Sequence, residues 1–403
     1  AVVMATGGAG RGFRQNTNAG TLTGDGMGMA FRAGVPLRDM EFVQYHPTCL
    51  PGSGILMTEG CRGEGGILVY RYLQDYGLGP LDPWPRPKAM ELGPRDRLSQ
   101  AFWHEKQKGR TIDTPHGAAV HLDLRHLGEK KIHERLPLIA EAAETFAGVD
   151  PVKSPIPVCP AVHYTMGGIL TDGRCQTPIQ GLFAAGECSS VGIHGANRLG
   201  SNSLAELLVF GRLAGEGAAT VAAERGRGQA DTAMLKQAED AERRILTWLD
   251  PTRNAGPGAE RSATIRDEMR VAMEDGVGIY RDEKGMQATC DKLAELRERY
   301  RRVRIDDHSL AFNTDWLTTL ELGYSLEVAQ AMAHSALQRK ESRGAHQRLD
   351  GYTERDDARF MKHSLAHYTG DGAPDITLQP VVITKSQPRA RVYGGAGKKA
   401  EMS

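Results

Sequence analysis

The sequence lacks long apolar runs, an excess of charge of either sign and paired cysteine motifs, and each absence excludes a class of protein. Lys and Arg total 50, as do Asp and Glu, and the mean hydropathy is −0.42. No run reaches the ~18 apolar residues of a membrane-spanning helix. Because a polyanion binder usually carries a basic excess, we predict no nucleic-acid partner.

The six cysteines form no C-x-x-C pair and show no zinc or iron–sulfur spacing. Scattered cysteines in a long chain are typical of buried thiols in a reducing compartment. We therefore predict no metal site.

Glycine is abundant instead, with 48 of 403 residues, against a typical share of ~7%. The chain opens on an apolar run that leads straight into glycines, a pattern that predicts a buried strand entering a turn. No initiator Met precedes that strand. We therefore expect the natural polypeptide to extend upstream of Ala1.

The spacing of apolar residues predicts helices and strands in the rest of the chain. A helix is predicted around Gly24 to Ala33, a strand at 181–185, and helices from about 230 to 345. Apolar residues at spacings of three and four form two stripes in that helical region. The first stripe consists of Ile265, Met269 and Met273 and is followed by Gly276, which predicts the end of the helix. The second stripe consists of Met286, Cys290, Leu293, Leu296 and Tyr300. The last residues, 394–399, are predicted to fray.

Two glycine-rich segments suit a dinucleotide. In residues 181–187 an apolar strand ends in Gly-Glu. The glycine lets the backbone approach a ligand, and the carboxylate can accept hydrogen bonds from the ligand's hydroxyls. A Gly-Glu pair after a strand is also commonly just a turn. Residues 194–204 predict a loop leading into a helix, whose first amides favour negative charge. Arg198 in that loop offers a planar fork for a carboxylate.

Four more segments hold reactive residue types, and each also has a structural explanation. His46 precedes a proline and could be an ordinary buried histidine. Glu59 and Arg62 stand three apart, but the surrounding glycines favour a loop over a helix. Arg95 and Asp96 fit a helix start, and residues 163–168 fit a strand and turn.

Taken together, these segments resemble the flavoprotein subunits of fumarate reductase and succinate dehydrogenase. MATGGAG, NTNAGTLTGDGMGMA, EFVQYHPT, TEGCRGEGG, HYTMGGI, GLFAAGE and HGANRLGSNSL follow in the family's order. The resemblance extends over nearly the whole chain. The amino-acid sequences of the segments MELGPRD, HYTMGGI and ECSSVGIHGANRLGSNSLAEL are most similar to those of bacterial quinol:fumarate reductase.

The resemblance implies an α/β plus α fold with an incomplete Rossmann-like FAD-binding domain, an α+β capping domain, a helical bundle domain and a small C-terminal domain. The FAD-binding domain would take residues 1–46 and 162–222, and the capping domain 47–161. The helical domain would take 230–345, and the C-terminal domain 346–403.

In this family a dicarboxylate lies between FAD and the capping domain, where FAD N5 exchanges hydride with one central carbon and an arginine exchanges a proton with the other. Arg95 matches that proton donor, and Glu59 and Arg62 match its proton relay. An arginine is an unusual acid, since its solution pKa lies above ~12, but neighbouring cations make its charged form more costly. The positions that bind the substrate carboxylates are matched by His46, Thr58, His163 and Arg198. The resemblance also gives His46 a catalytic role.

The resemblance also assigns the contacts of FAD. Glu187 matches the acid that binds the ribityl chain, and Asp25 matches another cofactor contact. The remaining matches, near the isoalloxazine edge and the dinucleotide, are Asn202, Ser203, Leu204, Thr6, Gly7 and Gly8. The covalently flavinylated histidine and the G-x-G-x-x-G loop are expected upstream of Ala1. The isolated 403-residue chain is therefore expected to be inactive or weakly loaded with flavin.

Two departures from the family pattern stand out. Val69 joins Tyr70 directly where a short glycine-containing turn is usual. Cys49 and Cys159 lie near His46 and His163 where other residues are more common, and we interpret both as buried thiols.

The implied partners are fumarate or succinate, an iron–sulfur subunit and membrane anchor subunits that bind quinone. The implied location is peripheral, on the cytoplasmic face of the inner membrane. Two alternatives stay open: a succinate dehydrogenase that works in the oxidising direction through the same site, and an inactive truncated product that serves only in assembly.

Overall fold

The structure is a computed structural model of the chain, and it describes residues 1–69, 93–226, 228, 231–254 and 256–384. Two compact units are apparent. The first comprises Ala1–Arg14, Asn18–Val43 and Tyr164–Pro380, and the second is formed chiefly by Gln15–Thr17 and Gln44–His163. The predicted junction at Val69–Tyr70 and the predicted frayed tail lie at or beyond the edge of the described residues.

The first unit combines helices with short strands. Its helices are Asp25–Arg32, Asn202–Arg225, Thr232–Leu246, Ser262–Gly276, Glu283–Tyr300, Thr314–Gln338 and Asp357–Phe360, with 3-10 turns at Gly10–Gly12, Gly186–Cys188 and Thr247–Leu249. Its strands are Val2–Met4, Leu37–Arg38, Gly168–Leu170, Leu182–Ala184, Ser189–Ser190, Lys362–His367 and Asp375–Pro380.

The second unit mixes strands and helices. Its strands are Val43–Cys49, Ile67–Val69, Ile112–Thr114, Gly117–Asp123 and Ile156–Thr165. Its helices are Glu59–Gly63, Arg95–Gln107, Glu129–Arg135 and Pro137–Ala147, with a 3-10 turn at Arg125–Leu127.

One apolar row runs across the sheet of the second unit. Leu68 on its edge strand is opposite Leu122, and Leu122 is opposite Ile156 on the next strand. All three are buried, and the helix residues Ile132 and Ile139 belong to the same core. Burying one face of the sheet under helices fixes the strand register, because a slip of one residue would turn these side chains outward.

The first unit contains two sheets. Val2–Met4 pairs in parallel with Leu182–Ala184, which confirms that strands form at the start of the chain and at 181–185. The prediction that the first strand is buried is wrong: Val2 is 60% and Val3 42% exposed, because this sheet has two strands among the described residues and leaves them uncovered. In the other sheet, Ser189–Ser190 begins the order, followed by Gly168–Leu170, Leu37–Arg38, Lys362–His367 and Asp375–Pro380. The helix predicted near Gly24 spans Asp25–Arg32.

The two predicted stripes form the core of the helical region. Ile265, Met269 and Met273 are buried on the helix Ser262–Gly276, which ends at the predicted glycine. The second stripe is buried on Glu283–Tyr300 from Met286 to Leu296. A Cβ at Gly276 would lie 2.0 Å from Thr289 Oγ1, so the close approach of these helices requires a glycine there.

The prediction of a loop around Glu59 and Arg62 is wrong. Residues Glu59–Gly63 form a short helix after Thr58, and Cys61 and Arg62 are buried on it. Glycine lowers helix propensity by only about 1 kcal/mol per residue. Packing of the buried side chains in a single turn outweighs that cost.

A cluster of buried charges ties the first unit together. Arg339 forms ion pairs with Glu41 and Glu341, and the side chains of all three are at most 2% exposed. The Ser364 hydroxyl also donates to Glu41. The Arg339 guanidinium donates further to the backbone oxygens of Phe360 and Lys362. Each charge is therefore compensated by hydrogen bonds.

Replacing Arg339 with Met should destabilise the fold by about 3–5 kcal/mol, because it leaves the buried carboxylate of Glu41 without its cation, whereas Glu341 keeps its ion pair with Arg343. The free energy of unfolding from urea titration would measure the loss. Arg212→Met is the control: its pair with Glu216 is exposed, and we expect little change. Equal losses for the two variants would contradict this account of the cluster.

Candidate active site

The strand Val43–Cys49 carries a row of polar side chains in the second unit. Gln44, His46 and Thr48 are each at most 1% exposed. Because side chains two apart point to the same face of a strand, these three share one face. Polar groups buried this deeply need hydrogen-bond partners, which makes the face a candidate for function.

His46 is held as a neutral imidazole with its proton on Nε2. Burial, then the nearby His163, Arg95 and Arg62, lower its pKa well below the ordinary value. The Thr48 backbone N–H donates to Nδ1 at 3.3 Å, so Nδ1 is the acceptor nitrogen and Nε2 carries the hydrogen. Among the described residues, buried Nε2 has no hydrogen-bond partner. His46 therefore offers an N–H donor to a ligand.

His163 lies beside His46, as the resemblance implies. The centroids of the two rings are 5.3 Å apart. Thr17 Oγ1 lies 2.8 Å from His163 Nδ1 and fixes the orientation of the ring. The structure thus brings together two of the predicted carboxylate ligands.

Arg95 begins the helix Arg95–Gln107, as predicted, and is held on two sides. Its Nε and Nη2 donate to one carboxylate oxygen of Glu59 at 3.2 and 3.1 Å. Its Nη1 donates to Gln44 Oε1 at 3.3 Å. The Arg95 side chain is 14% exposed and that of Glu59 is 45% exposed. A partly hydrated carboxylate therefore contacts a largely buried guanidinium.

The short helix Glu59–Gly63 holds the other two members of this predicted group. Arg62 is buried on the same turn as Glu59, and Thr58 is exposed immediately before the turn. Cys61 is buried there as well, and burial raises the pKa of its thiol to about 11. A thiol in that state is protonated at neutral pH and is a poor nucleophile.

The first unit contains a glycine cradle around Glu187. Thr165 donates to Glu187 Oε1 through its backbone N–H at 2.9 Å and its hydroxyl at 3.3 Å. Burial raises the pKa of Glu187 to about 7, although these hydrogen bonds oppose the shift. A Cβ at Gly8 would lie 2.4 Å from Glu187 Oε1. Only a glycine leaves the carboxylate room, so the geometry fits a ligand lying along residues 6–8.

Further predicted cofactor residues are close to that cradle. Gly7 adopts a φ of +76°, and a Cβ at Gly26 would lie 2.0 Å from Thr6 Oγ1. Asp25 begins the helix Asp25–Arg32 and accepts from Thr23 Oγ1. Tight backbone approach with an acid at the helix start suits the hydroxyl-rich part of a dinucleotide.

The second predicted loop leads into the helix Asn202–Arg225, as expected. Ser201 adopts a left-handed φ of 62° just before that helix, and Asn202, Ser203 and Leu204 form its first turn. Buried Arg198 donates through Nη1 to Leu199 O at 3.3 Å and to Ser203 Oγ at 3.4 Å. The guanidinium thereby stands beside the helix N-terminus, a combination that favours an anionic ligand.

Some residues in these clusters lie inside the family motifs, but the resemblance assigns them no role. Gln44 stands two before His46 on the same strand, and that period-two spacing could have indicated it. Thr17 and Thr165 give no local signal, since their partners are 146 and 22 residues away.

The cysteines and the helices agree with ordinary packing. All six cysteines are free and buried, which confirms that Cys49 and Cys159 are buried thiols. No helix in the described part of the chain is both long and apolar enough to cross a bilayer. Within the same ranges, no three His, Cys, Asp or Glu side chains come together as a possible metal site.

Comparisons with known proteins show the family and match the fold. The family model described as FAD binding domain matches residues 1–204, and that described as fumarate reductase flavoprotein C-term matches residues 266–393. Glu187 and the glycine cradle lie within the first match. The residues of the cradle therefore fit FAD as the cofactor.

Individual relatives are similar over the whole chain. The fumarate reductase flavoprotein subunit of a Serratia species is 65% identical, and the alignment covers 100% of this chain and 68% of that protein. The succinate dehydrogenase flavoprotein subunit of Coxiella burnetii is 43% identical over 97% of this chain and 66% of that protein. A solved Escherichia coli quinol fumarate reductase chain superimposes with a TM-score of 0.90 at 65% identity, covering 98% of this chain and 68% of that one.

The cradle predicts that Gly8→Ala lowers FAD occupancy. The new methyl group would displace the Glu187 carboxylate, and losing a charge-assisted hydrogen bond should weaken FAD binding about tenfold or more. Flavin absorbance per mole of purified protein measures the occupancy. Gly12→Ala is the control: Gly12 lies four residues further along the chain with nothing within 4 Å of its Cβ, and the variant should keep its flavin. Equal occupancy in both variants would refute the cradle.

Proposed function

The chain belongs to the family of fumarate reductase and succinate dehydrogenase flavoprotein subunits, and from this premise we propose that it is the catalytic flavoprotein of a quinol:fumarate reductase. It would reduce fumarate to succinate with electrons from quinol. FAD, when bound, supplies hydride to one central carbon of the substrate. The proton for the other carbon comes from this chain.

The contact between Arg95 and Glu59 carries the proposal. A general acid must be positioned and must regain its proton after each turnover. Two hydrogen bonds from Arg95 to Glu59 and one to Gln44 provide the positioning. Glu59 is nearly half exposed and can exchange protons with water. Arg62, buried on the same helical turn, is the proposed third member of the relay.

The proposed substrate carries two negative charges, and the donors suit it. His46 presents a neutral Nε2–H, and His163 lies beside it in an orientation set by Thr17. We assign both, with Thr58, to carboxylate binding. Arg198 is assigned the same role because a guanidinium beside a helix N-terminus binds carboxylates in bidentate fashion. Fixed donors of this kind also stabilise charge that develops in the transition state.

The chain's own residues would hold FAD through the glycine cradle. Glu187 would accept from ribityl hydroxyls, with Asp25 as a further contact. The backbone of residues 6–8 would approach the dinucleotide, and that of 202–204 the isoalloxazine edge. We further propose that 1–46 and 162–222 form the FAD-binding domain, 47–161 the capping domain, 230–345 the helical domain and 346–403 the C-terminal domain.

Succinate oxidation is the second candidate, since the C. burnetii relative is named a succinate dehydrogenase subunit. The same residues serve either direction, with the Arg95 group accepting a proton instead of donating it. In both cases we propose that an iron–sulfur subunit and quinone-binding anchor subunits complete the complex. The chain would then lie at the cytoplasmic face of the inner membrane.

Arg95→Gln in the FAD-loaded enzyme should lower kcat for fumarate reduction by about 10²–10⁴-fold or more, because the general acid is lost. FAD content should stay unchanged. Arg97→Gln is the matched control, since Arg97 is exposed two residues further along the same helix. Steady-state rates with a viologen donor measure both variants. Substantial turnover by Arg95→Gln would end its assignment as proton donor.

Arg198→Ala should weaken binding of a dicarboxylate inhibitor such as malonate by about 10–100-fold, the effect of one charge-assisted hydrogen bond or two. Arg198→Lys should recover only part of the affinity, because an ammonium group lacks the planar fork. Titration of the flavin spectrum gives the dissociation constants. An unchanged constant for Arg198→Ala would argue against carboxylate binding.

A further inference from the structure

Three polar side chains in the first unit meet at one carboxylate oxygen. The Tyr164 hydroxyl donates to Glu206 Oε2 at 2.6 Å. His194 Nε2 lies 2.7 Å from the same oxygen and 3.3 Å from the Tyr164 hydroxyl. Tyr164 is 6% and Glu206 3% exposed, and the His194 side chain is 4% exposed. All three residues lie within the family motifs, but neither the resemblance nor the proposed reaction assigns this cluster a role.

The cluster fixes the orientation of the Tyr164 ring. Burial and the hydrogen bond to Glu206 raise the pKa of Tyr164 above its ordinary value, so the phenol keeps its proton and continues to donate. The His194 ring packs edge-on against Tyr164, with centroids 5.4 Å apart. Phe42 and Met166 complete a small apolar core around Tyr164. The ring therefore has one position available to it.

Arg198 lies against the face of that ring. Its guanidinium carbon is 4.4 Å from the ring centroid, within the range of a cation–π contact. The hydrogen bonds of Arg198 to Leu199 O and Ser203 Oγ both use Nη1, and both are long at 3.3 and 3.4 Å. A guanidinium stacks on aromatic faces, so a ring orients the guanidinium plane in addition to its hydrogen bonds. The aromatic face restricts that plane.

A phenol that donates to a carboxylate becomes more electron-rich, because hydrogen bonds in series polarise one another. The Glu206 carboxylate thus strengthens the negative face that Arg198 contacts. The ring and the carboxylate behind it therefore act on Arg198 together.

We propose that Tyr164, held by Glu206 and His194, is a positioning residue that sets the guanidinium plane of Arg198 for carboxylate binding. This inference rests on the proposed function. It adds a group of residues that touch neither substrate nor cofactor and act through Arg198.

A double-mutant cycle in the complete FAD-loaded enzyme tests the proposal. Tyr164→Leu removes the ring, and malonate dissociation constants are measured with Arg198 present and in the Arg198→Ala background. We expect a rise of about 2- to 30-fold with Arg198 present, the usual range of a cation–π contact. In the Arg198→Ala background we expect no further rise. Tyr164→Phe keeps the ring but frees it, and should give a smaller rise.

Three results would overturn the proposal. Tyr164→Leu could bind malonate as tightly as the native enzyme while retaining FAD. It could weaken binding equally in both backgrounds, which would mark a general packing defect. Tyr164→Phe could be as weak as Tyr164→Leu, which would assign the effect to the hydroxyl instead of the ring.

Two further measurements cover the cases in which Tyr164→Leu loses FAD or the proposed function itself fails. If Tyr164→Leu loses FAD, the cycle runs with Tyr164→Phe, and a rise only in the presence of Arg198 supports the proposal, whereas equal rises overturn it. The native enzyme reports on the proposed function separately. If native protein neither binds malonate nor reduces fumarate, the proposed function fails whatever the Tyr164 variants do.

Discussion

Removing charged groups from water is the constraint on which the rest of this structure depends. An ion taken into the interior must meet a partner or change its protonation state. Arg339 follows the first course, with Glu41 and Glu341 on its guanidinium. His46 follows the second, because burial beside cations lowers its pKa and leaves the ring neutral. Glu187 combines both: it accepts hydrogen bonds from Thr165, and burial raises its pKa to about 7.

The same constraint explains how the candidate site can serve an anionic substrate. A protonated His46 would be costly beside Arg95 and Arg62, so the strand instead supplies a neutral N–H donor. The charge of Arg95 is compensated by Glu59, whose carboxylate lies 3.1 Å from Arg95 Nη2. Glu59 can do so and still exchange protons with water, because its side chain is only partly buried. The proposed positioning and proton supply would therefore depend on one ion pair at the edge of the solvent.

Much of the fold could be predicted from local patterns in the sequence. The stripes from Ile265 to Met273 and from Met286 to Leu296 repeat with the helical period, and both form buried helix faces. The glycines near Glu59 misled the same reasoning, because a single turn gains more from burying Cys61 and Arg62 than it loses in propensity. The family motifs indicated the proposed site residues by type and order. Only the structure shows that His46 is neutral with its proton on Nε2, because that state depends on charges distant in the chain.

The side chains to which the motifs assigned no role share one property: each contacts a residue of another motif, distant along the chain. Thr17 orients His163 across 146 residues, and Thr165 holds Glu187 across 22. Glu206 reaches Tyr164 across 42 residues and, through it, Arg198. The motifs indicate which side chains are proposed to bind or react. The orientation of those side chains depends on tertiary contacts, which residue spacing in the sequence does not predict. Substitutions at these supporting positions should therefore change affinity and rate by modest factors, leaving the chemistry itself to the groups they orient.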